Sequence, residues 1–220
     1  MHIDRRSTCQ LDSGKTVTQP INTNGNYSIS LWSGMGFKVK KIDTRFYLGP
    51  GISYSKTADV FNNVLNYSKN LSAGFNLDAS KSKEKKYEFN INDNVSYNYI
   101  KTSQSNTSSN YFTNTLSLSA KVYIQKTWSI STDYNLYTQQ KTKQLNTDLS
   151  THLWNGRLEK TFKKDEFTAY FLVRDILNQN VGITRNFDRN TFTETRNDRL
   201  KRYWMLGFTW NFKNSGAKAK

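Results

Sequence analysis

Proline and cysteine are almost missing from this chain. Pro20 and Pro50 are the only prolines in 220 residues, and Cys9 is the only cysteine. One cysteine excludes an intrachain disulfide. Two prolines suit a chain built mostly of paired strands, where proline removes a ladder donor. Histidine is as scarce. His2 and His152, with the lone cysteine, give no cluster at zinc-ligand spacing, and His152 as sole base leaves no readable Ser-His-Asp set. His152 reads as an ordinary strand-end residue. Asp4 with Asp12, or Asp188 with Asp198, could turn toward calcium in loops, but neither spacing resembles a calcium loop. No catalytic residue, cofactor or metal site is expected, and the chain does not read as an enzyme.

Long apolar runs are missing too. No stretch approaches the ~20 residues that a spanning helix needs, and a mean hydropathy of -0.77 excludes a helical membrane protein. The opening residues Met1 to Arg6 have no apolar core behind their charges, so they do not read as a secretory signal peptide. The expectation is a chain that lost its beginning or is not exported alone. Disorder is excluded, because aromatic residues make up 14% of the chain and disordered chains are poor in them.

Acidic residues are the minority, 17 against 32 Lys and Arg, for a formal net charge of +15. Phosphate neutralisation on nucleic acid is one reading of that excess. The basic residues are spread out, however, with small clusters at Lys81, Lys83, Lys85 and Lys86, at Lys163 and Lys164, and at Arg199, Lys201 and Arg202. These fall at expected turns and strand ends. No nucleic-acid partner is expected; anionic lipid head groups or plain solvation of turns account for the charge.

What the chain does have is alternation. Between Arg199 and Phe212, the side chains of Arg202, Trp204, Leu206, Phe208, Trp210 and Phe212 fall on one side. Lys201, Tyr203, Met205, Gly207, Thr209 and Asn211 fall on the other. Successive side chains of a strand point to opposite faces, so this is a strand between an apolar and a polar environment. It exceeds the about 5–6 residues common in soluble proteins and suits a tilted strand crossing a bilayer, which needs about 9–11.

The pattern recurs upstream. Tyr27, Ile29, Leu31, Met35, Phe37 and Val39 share a face, with Trp32 opposite. Phe46, Leu48, Ile52 and Tyr54 follow, interrupted by Gly49-Pro50-Gly51, where a bulge or kink is expected. Further rows run from Leu71 to Ala79, Tyr87 to Tyr99, Phe112 to Ile124, Trp128 to Leu136, Trp154 to Phe162 and Phe167 to Val173. Asp93 falls on the apolar side of its row, which implies a phase-shifting bulge or a position away from lipid.

The expected fold is all-β: an antiparallel transmembrane β-barrel segment of about nine long meander strands. Short turns at 40–43, 81–86, 126–127 and 163–166 alternate with longer connections near 57–66, 102–110, 140–149 and 178–198, the periplasmic-turn and outer-loop asymmetry of such barrels. Residues 1–23 read as a remnant of an extracellular loop, 24–213 as barrel and 214–220 as a basic tail. An odd strand count leaves the first and last strands parallel, whereas single-chain bacterial barrels are even-numbered. The barrel is therefore expected to be incomplete.

Aromatic residues near strand ends (Tyr27, Tyr54, Tyr87, Tyr99, Tyr111, Phe112, Trp128, Tyr137 and Trp210) are expected to form interfacial girdles. Cross-strand pairs in a soluble sheet are the other reading. The polar row Asn90, Asn92, Asn94, Ser117, Ser119, Asp133 and Asn135 would line a water-filled or plug-filled lumen. Arg185, Arg189 and Arg196 in the 178–198 connection could capture an anion at the outer mouth; a solvated loop beside lipid phosphates is the favoured reading. Asp175 and Asn178 are expected to form turns. The sequence assigns no ligand-binding residue.

Three segments carry a resemblance. Residues 22–29 (Asn-Thr-Asn-Gly-Asn-Tyr-Ser-Ile), 174–180 (Arg-Asp-Ile-Leu-Asn-Gln-Asn) and 199–210, with its Arg202-Tyr203 pair, resemble the C-terminal barrel of Bacteroidetes-type outer membrane β-barrel proteins related to TonB-dependent receptors. The likeness covers nearly the whole chain. It implies nutrient import across the outer membrane by a barrel of about twenty-two strands with an internal plug, preceded by a signal peptide and often a sandwich domain. Signal peptide, sandwich domain and plug are not readable here. The missing N-terminal barrel and plug would be partners, together with outer membrane lipids. The family commonly ends near its terminal aromatic, whereas Phe212 is followed by Lys213 to Lys220.

Three functions stay open: the C-terminal part of a TonB-dependent-receptor-like transporter, a small pore-like or structural barrel, and a secreted β-sandwich binding module. Strand length argues against the last.

Overall fold

The computed structural model describes residues 5–10, 16–104, 108–142, 145–163, 166–188 and 191–211. These residues contain strands, turns and bends but no helix. β1 (Arg5–Gln10) and β2 (Thr16–Ile21) form a hairpin. The wall follows as a meander: β3 (Tyr27–Trp32) and β4 (Met35–Val39), then β5 (Thr44–Phe61), β6 (Val64–Lys83), β7 (Tyr87–Thr102), β8 (Ser108–Ile124), β9 (Trp128–Gln139), β10 (Leu149–Phe162) and β11 (Phe167–Arg174). A separate hairpin, β12 (Ile183–Asp188) with β13 (Thr191–Arg196), precedes the last wall strand, β14 (Tyr203–Trp210).

Every wall strand pairs antiparallel with its neighbours, in the order β14-β11-β10-β9-β8-β7-β6-β5. The free edge of β5 is then shared along its length by β4, β3 and, in parallel, β1. β3 and β4 keep one register against β5, from Tyr27↔Lys56 to Val39↔Thr44, so they form one wall strand. The wall thus has nine strands in one layer. It does not close: among the described residues nothing pairs with the outer edge of β14 or of β3–β4.

The lengths suit lipid. The sixteen residues of β7 at about 3.3 Å each, tilted by roughly 40°, reach roughly 40 Å in height, enough for a hydrocarbon core of ~30 Å. Register puts the apolar rows of all nine strands on one face. Phe46↔Ala79↔Ile91↔Leu118↔Tyr134↔Trp154 is one such line across six strands. Among the described residues no second layer covers that face. The buried apolar ones among them are only Ala58, Tyr111 and Leu149, while Ile52, Phe75, Ile91, Val122, Ile130, Leu158 and Phe171 are exposed. A water-soluble protein rarely leaves so continuous an apolar patch uncovered, and a sandwich would bury it against a second sheet. The sandwich reading is therefore overturned; lipid covers this face.

Several expectations about particular segments are corrected. Residues 1–23 are not all loop, since β1 and β2 lie there; neither has an apolar row, so alternation could not reveal them. The connection expected near 57–66 is a two-residue hairpin turn, with Phe61↔Val64 closing it and Asn62 and Asn63 both at positive φ (49° and 61°). That is the geometry favoured for tight hairpins, and asparagine tolerates it better than most residues. The connection near 178–198 contains β12 and β13. The last strand is shorter than its alternation suggested, eight residues from Tyr203, because the backbone N–H of Arg202 turns away to donate to Asn178 Oδ1 at 3.1 Å. Phe212 and the tail 214–220 lie outside the described residues.

Pro50 produces no bulge. β5 pairs with β6 without a slip from Arg45↔Ser80 to Phe61↔Val64. On the other edge the ladder lapses between Trp32↔Gly51 and Met35↔Leu48, where Ser33 N–H still donates to the Pro50 carbonyl at 3.1 Å. Only the bond that a proline N–H would have made is lost. Asp93 is not phase-shifted either: it pairs in unbroken register with Leu77 and Leu116 on the apolar face. Its carboxylate accepts a hydrogen bond from Asn114 Nδ2, on the same face one diagonal step away.

Candidate lumen and outer mouth

The inward face is built from the other phase of the same strands; its residues are mostly Ser, Asn, Asp, Thr and Gly, with a few aromatic rings among them. Their side chains bond across strands. Asp78 on β6 accepts from Asn76 Nδ2 at 2.6 Å and from Asn92 Nδ2 at 2.5 Å. Ser72 donates to Asn98 Oδ1 at 3.1 Å, and Asn98 donates on to Thr113. Ser117 donates to Asn135 at 2.8 Å, while Asn155 Nδ2 donates to Asp133. Amide dipoles, rather than cations, satisfy these carboxylates, leaving the mid-wall wettable without a strong field. Of the row expected inside, Asn90, Asn92, Asn94, Ser117, Ser119, Asp133 and Asn135 all fall on this face. Thr57 Oγ1 and Asn70 Oδ1, also inward, have no hydrogen-bond partner.

Aromatic side chains on this face lie flat against glycines. A Cβ added to Gly51 would come within 2.5 Å of the Trp32 ring, one on Gly49 within 2.9 Å of Tyr47, and one on Gly207 within 2.1 Å of the Tyr170 hydroxyphenyl group. Each glycine makes room for a ring to cover backbone without projecting into the lumen. Trp32 is inside, as its phase required. Tyr170 also carries the Arg157 guanidinium, 4.0 Å from its ring centre, and Arg157 pairs with Glu159 at 3.1 Å.

At the turn end of the wall, loops are tight: 84–86 and 125–127 have three residues, 40–43 four, with Asp43, Lys85, Gln125, Lys126 and Lys163 at positive φ. Lys38 bonds Asp43 at 2.6 Å, and this contact holds the Asp43 carboxyl below the usual carboxylate range. The opposite end carries the longer connections and is the extracellular side by the rule of short periplasmic turns.

The outer mouth is locked by three knots. Asn66, fully buried, donates to Asp59 Oδ1 (3.0 Å) and Ser68 Oγ (3.2 Å) and accepts from Gln104 N–H (3.1 Å). Asp175, also buried, accepts from Gln179 N–H (2.9 Å) and Asn180 N–H (3.0 Å), while its own N–H donates to Asn155 Oδ1. With Asn178 bonding Arg202, the 174–180 segment joins β10, β11 and the start of β14. Asp175 and Asn178 are turn-formers, both at positive φ. Third, Arg185 bonds Glu194 (2.9 Å) and both the carbonyl and hydroxyl of Thr147 (2.8 and 3.0 Å), pinning the β12–β13 hairpin onto the 140–148 connection. Bonds from Arg196 and then Arg185 hold the Glu194 carboxyl below its ordinary range. Arg185 is thus structural, Arg196 is exposed and shares Glu194, and Arg189 lies outside the described residues.

Sequence reasoning missed Asn66 and Asp59, which it left in a connection, and Tyr47 and Tyr170, whose signal was an aromatic at an inward position opposite glycine. Two girdle members are corrected: Tyr111 and Tyr137 face inward, each directly opposite a polar residue, Asn98 and Thr115. Tyr27, Tyr54, Tyr87, Tyr99, Phe112, Trp128 and Trp210 face outward. His152 is also outward, with Tyr134 Oη 2.6 Å from Nδ1 and Ser150 Oγ 3.0 Å from Nε2. An apolar groove of about 510 Å³, lined by Leu158, Phe171, Leu206 and Phe208, lies on the lipid side of the wall. Among the described residues no three His, Cys, Asp or Glu side chains come together.

The polar inner face, the uncovered apolar outer face and the asymmetric ends describe a wall of an outer membrane barrel. No curated protein and no solved structure matches the chain. The profile of the outer membrane protein β-barrel family matches residues 51–210, from the Pro50 ladder gap to the end of the last strand, and the chain belongs to that family, an outer membrane protein.

Proposed function

We propose that the chain forms the C-terminal wall of a TonB-dependent-receptor-like nutrient transporter of the Bacteroidetes type, completed by further barrel strands and a plug. The observation that carries this reading is the pair of open edges. β3–β4 and β14, first and ninth in the meander, run in the same direction, so they cannot close on each other antiparallel. In lipid every backbone donor and acceptor needs a partner, so both edges call for strands beyond these nine. The 174–180 segment, which ties the penultimate strand to the last, is one of those whose sequence resembles the receptors. Mid-wall amides without a strong charge suit a lumen filled by a plug or by water. Outer membrane lipids, complementary strands and a plug are the partners of this reading; neither catalysis nor nucleic acid enters it.

Photo-crosslinking in intact outer membranes tests it. A photoreactive residue at Met205, on the β14 edge strand, is expected to capture barrel strands other than these nine. Capture of β3 within the same chain or a second copy, with stable ion conductance in planar bilayers, would instead support a small pore closed by a parallel seam.

A further inference from the structure

The outward face carries three lysines at a single level. Lys56 on β5, Lys69 on β6 and Lys101 on β7 are direct register partners, Lys56↔Lys69↔Lys101. Directly opposed residues have Cβ atoms about 4.5–5.5 Å apart, and like charges at that spacing destabilise a sheet. Among the described residues no carboxylate pairs with them. Their neighbours on the same face are Tyr27 directly beside Lys56, Tyr54, Leu71 and Tyr99 on the membrane side and Ala58 and Tyr67 beyond. Lys56 Nζ lies 4.4 Å from the Tyr67 ring centre, while Lys69 and Lys101 are exposed and in no ion pair among the described residues.

The opposite rim is arranged differently. There three cations on separate strands or turns each lie over an aromatic ring: Lys81 over Tyr87 (5.8 Å), Lys160 over Trp128 (4.8 Å) and Lys163 over Phe167 (5.3 Å). Those contacts suit snorkelling at an interface. Of the three-lysine row only Lys56 has such a contact, over Tyr67; Lys69 and Lys101 have none among the described residues. It stands one register step beyond Tyr54 and Tyr99, the aromatic level that marks the interface, at the end with the longer connections. That is head-group depth in the outer leaflet.

We propose that Lys56, Lys69 and Lys101 form a binding site for the phosphorylated head group of an outer-leaflet glycolipid. Lysine ammonium groups are mobile point charges that suit phosphate oxygens, and a ligand anchored by its acyl chains beside Leu71 and Ile52 would present phosphate at this height. The site depends on the outer membrane location and on which end faces outward, not on the transporter reading.

The test is binding by the full chain in zwitterionic detergent, measured by native mass spectrometry against a bis-phosphorylated acylated glucosamine disaccharide. Its phosphatase-treated form and inorganic phosphate are the comparison probes. The phosphorylated lipid is expected to bind far more tightly than the dephosphorylated one, and millimolar inorganic phosphate should not displace it. At about 1 kcal/mol for each lysine near an anionic surface, Lys56→Gln, Lys69→Gln and Lys101→Gln together should weaken binding roughly a hundredfold, while the three Lys→Arg changes retain it. Equal binding of the two lipids by the unaltered chain would overturn the proposal without any variant. So would an equal loss from Lys81→Gln, Lys83→Gln and Lys160→Gln at the other rim, and displacement by inorganic phosphate would reassign the row to free anions.

Discussion

The middle of the wall and its two margins are made of the same kind of strand but stand in different company. Ile91, Val95, Val122 and Ile130, flanked on both sides, are 39–47% exposed; Ile29 and Leu31 at one margin and Trp204 and Leu206 at the other, on the same face, are 61–74% exposed. The margins are as apolar and aromatic as the centre, and their backbone edges are unpaired. An edge meant to face water is blunted by charges, proline or bulges. Here β14 carries no charge along its eight residues, and β3–β4 carry only Lys38 and no proline. The difference fits the proposal that more of the same wall covers these margins.

The sharpest way to break this comparison is a charge at mid-wall. Leu118→Arg, on the outward face between Ile91 and Tyr134, should cost about 2–4 kcal/mol in lipid, whereas Ser117→Arg on the lumen side should cost under about 1; urea unfolding in vesicles reads both. If the two costs are equal, the face assignment is wrong. Removing the Asp175 carboxylate comes next. Asp175→Ala removes the buried carboxylate that accepts from two part-buried N–H groups and should cost about 1–3 kcal/mol, with faster amide exchange at Gln179, Asn180 and the start of β14 but not in β6–β8.

A smaller effect concerns Asp93 and Asn114. Asn114→Leu strips the partner from a carboxylate facing hydrocarbon and should destabilise, while adding Asp93→Leu should restore or exceed the original stability. A double-mutant cycle measures the coupling, and additive changes would show that the pair does not interact. The smallest effect is at the β12–β13 hairpin. Because Arg196 and Arg185 lower the Glu194 carboxyl in the folded state, the stabilisation is present above the unfolded carboxylate range. It is lost as pH falls through the lower, folded value. Hydrogen exchange should therefore open this hairpin under acid conditions before the wall, and Glu194→Gln should remove the pH dependence.

The wall was legible because lipid imposes one rule on nine strands: each outward row must be apolar, so the period of two survives from Tyr27 to Trp210. Where that rule lapses, the reading lapsed with it. Beyond Lys56 and Lys69 the strands leave the membrane, their faces turn mixed, and the hairpin through Asn62-Asn63 looked like loop. β1, β2, β12 and β13 have no apolar row to show. Asp175 and Asn178 were recognisable as turn chemistry, but their links to Asn155 and Arg202 cross strand boundaries. Tyr111 and Tyr137 were misplaced because aromatic character alone does not choose a face; their phase, opposite Asn98 and Thr115, does.

One consequence follows from the Asn62-Asn63 hairpin. Five residues of each strand stand past the lysine level, about 16 Å along the strand at about 3.3 Å per residue, so a paired ribbon rises from the cell surface. An epitope inserted between the two asparagines would be reachable by antibody on intact cells, while a tag in the 125–127 bend would be reached only after the envelope is breached, making this ribbon a gauge of which way the protein sits.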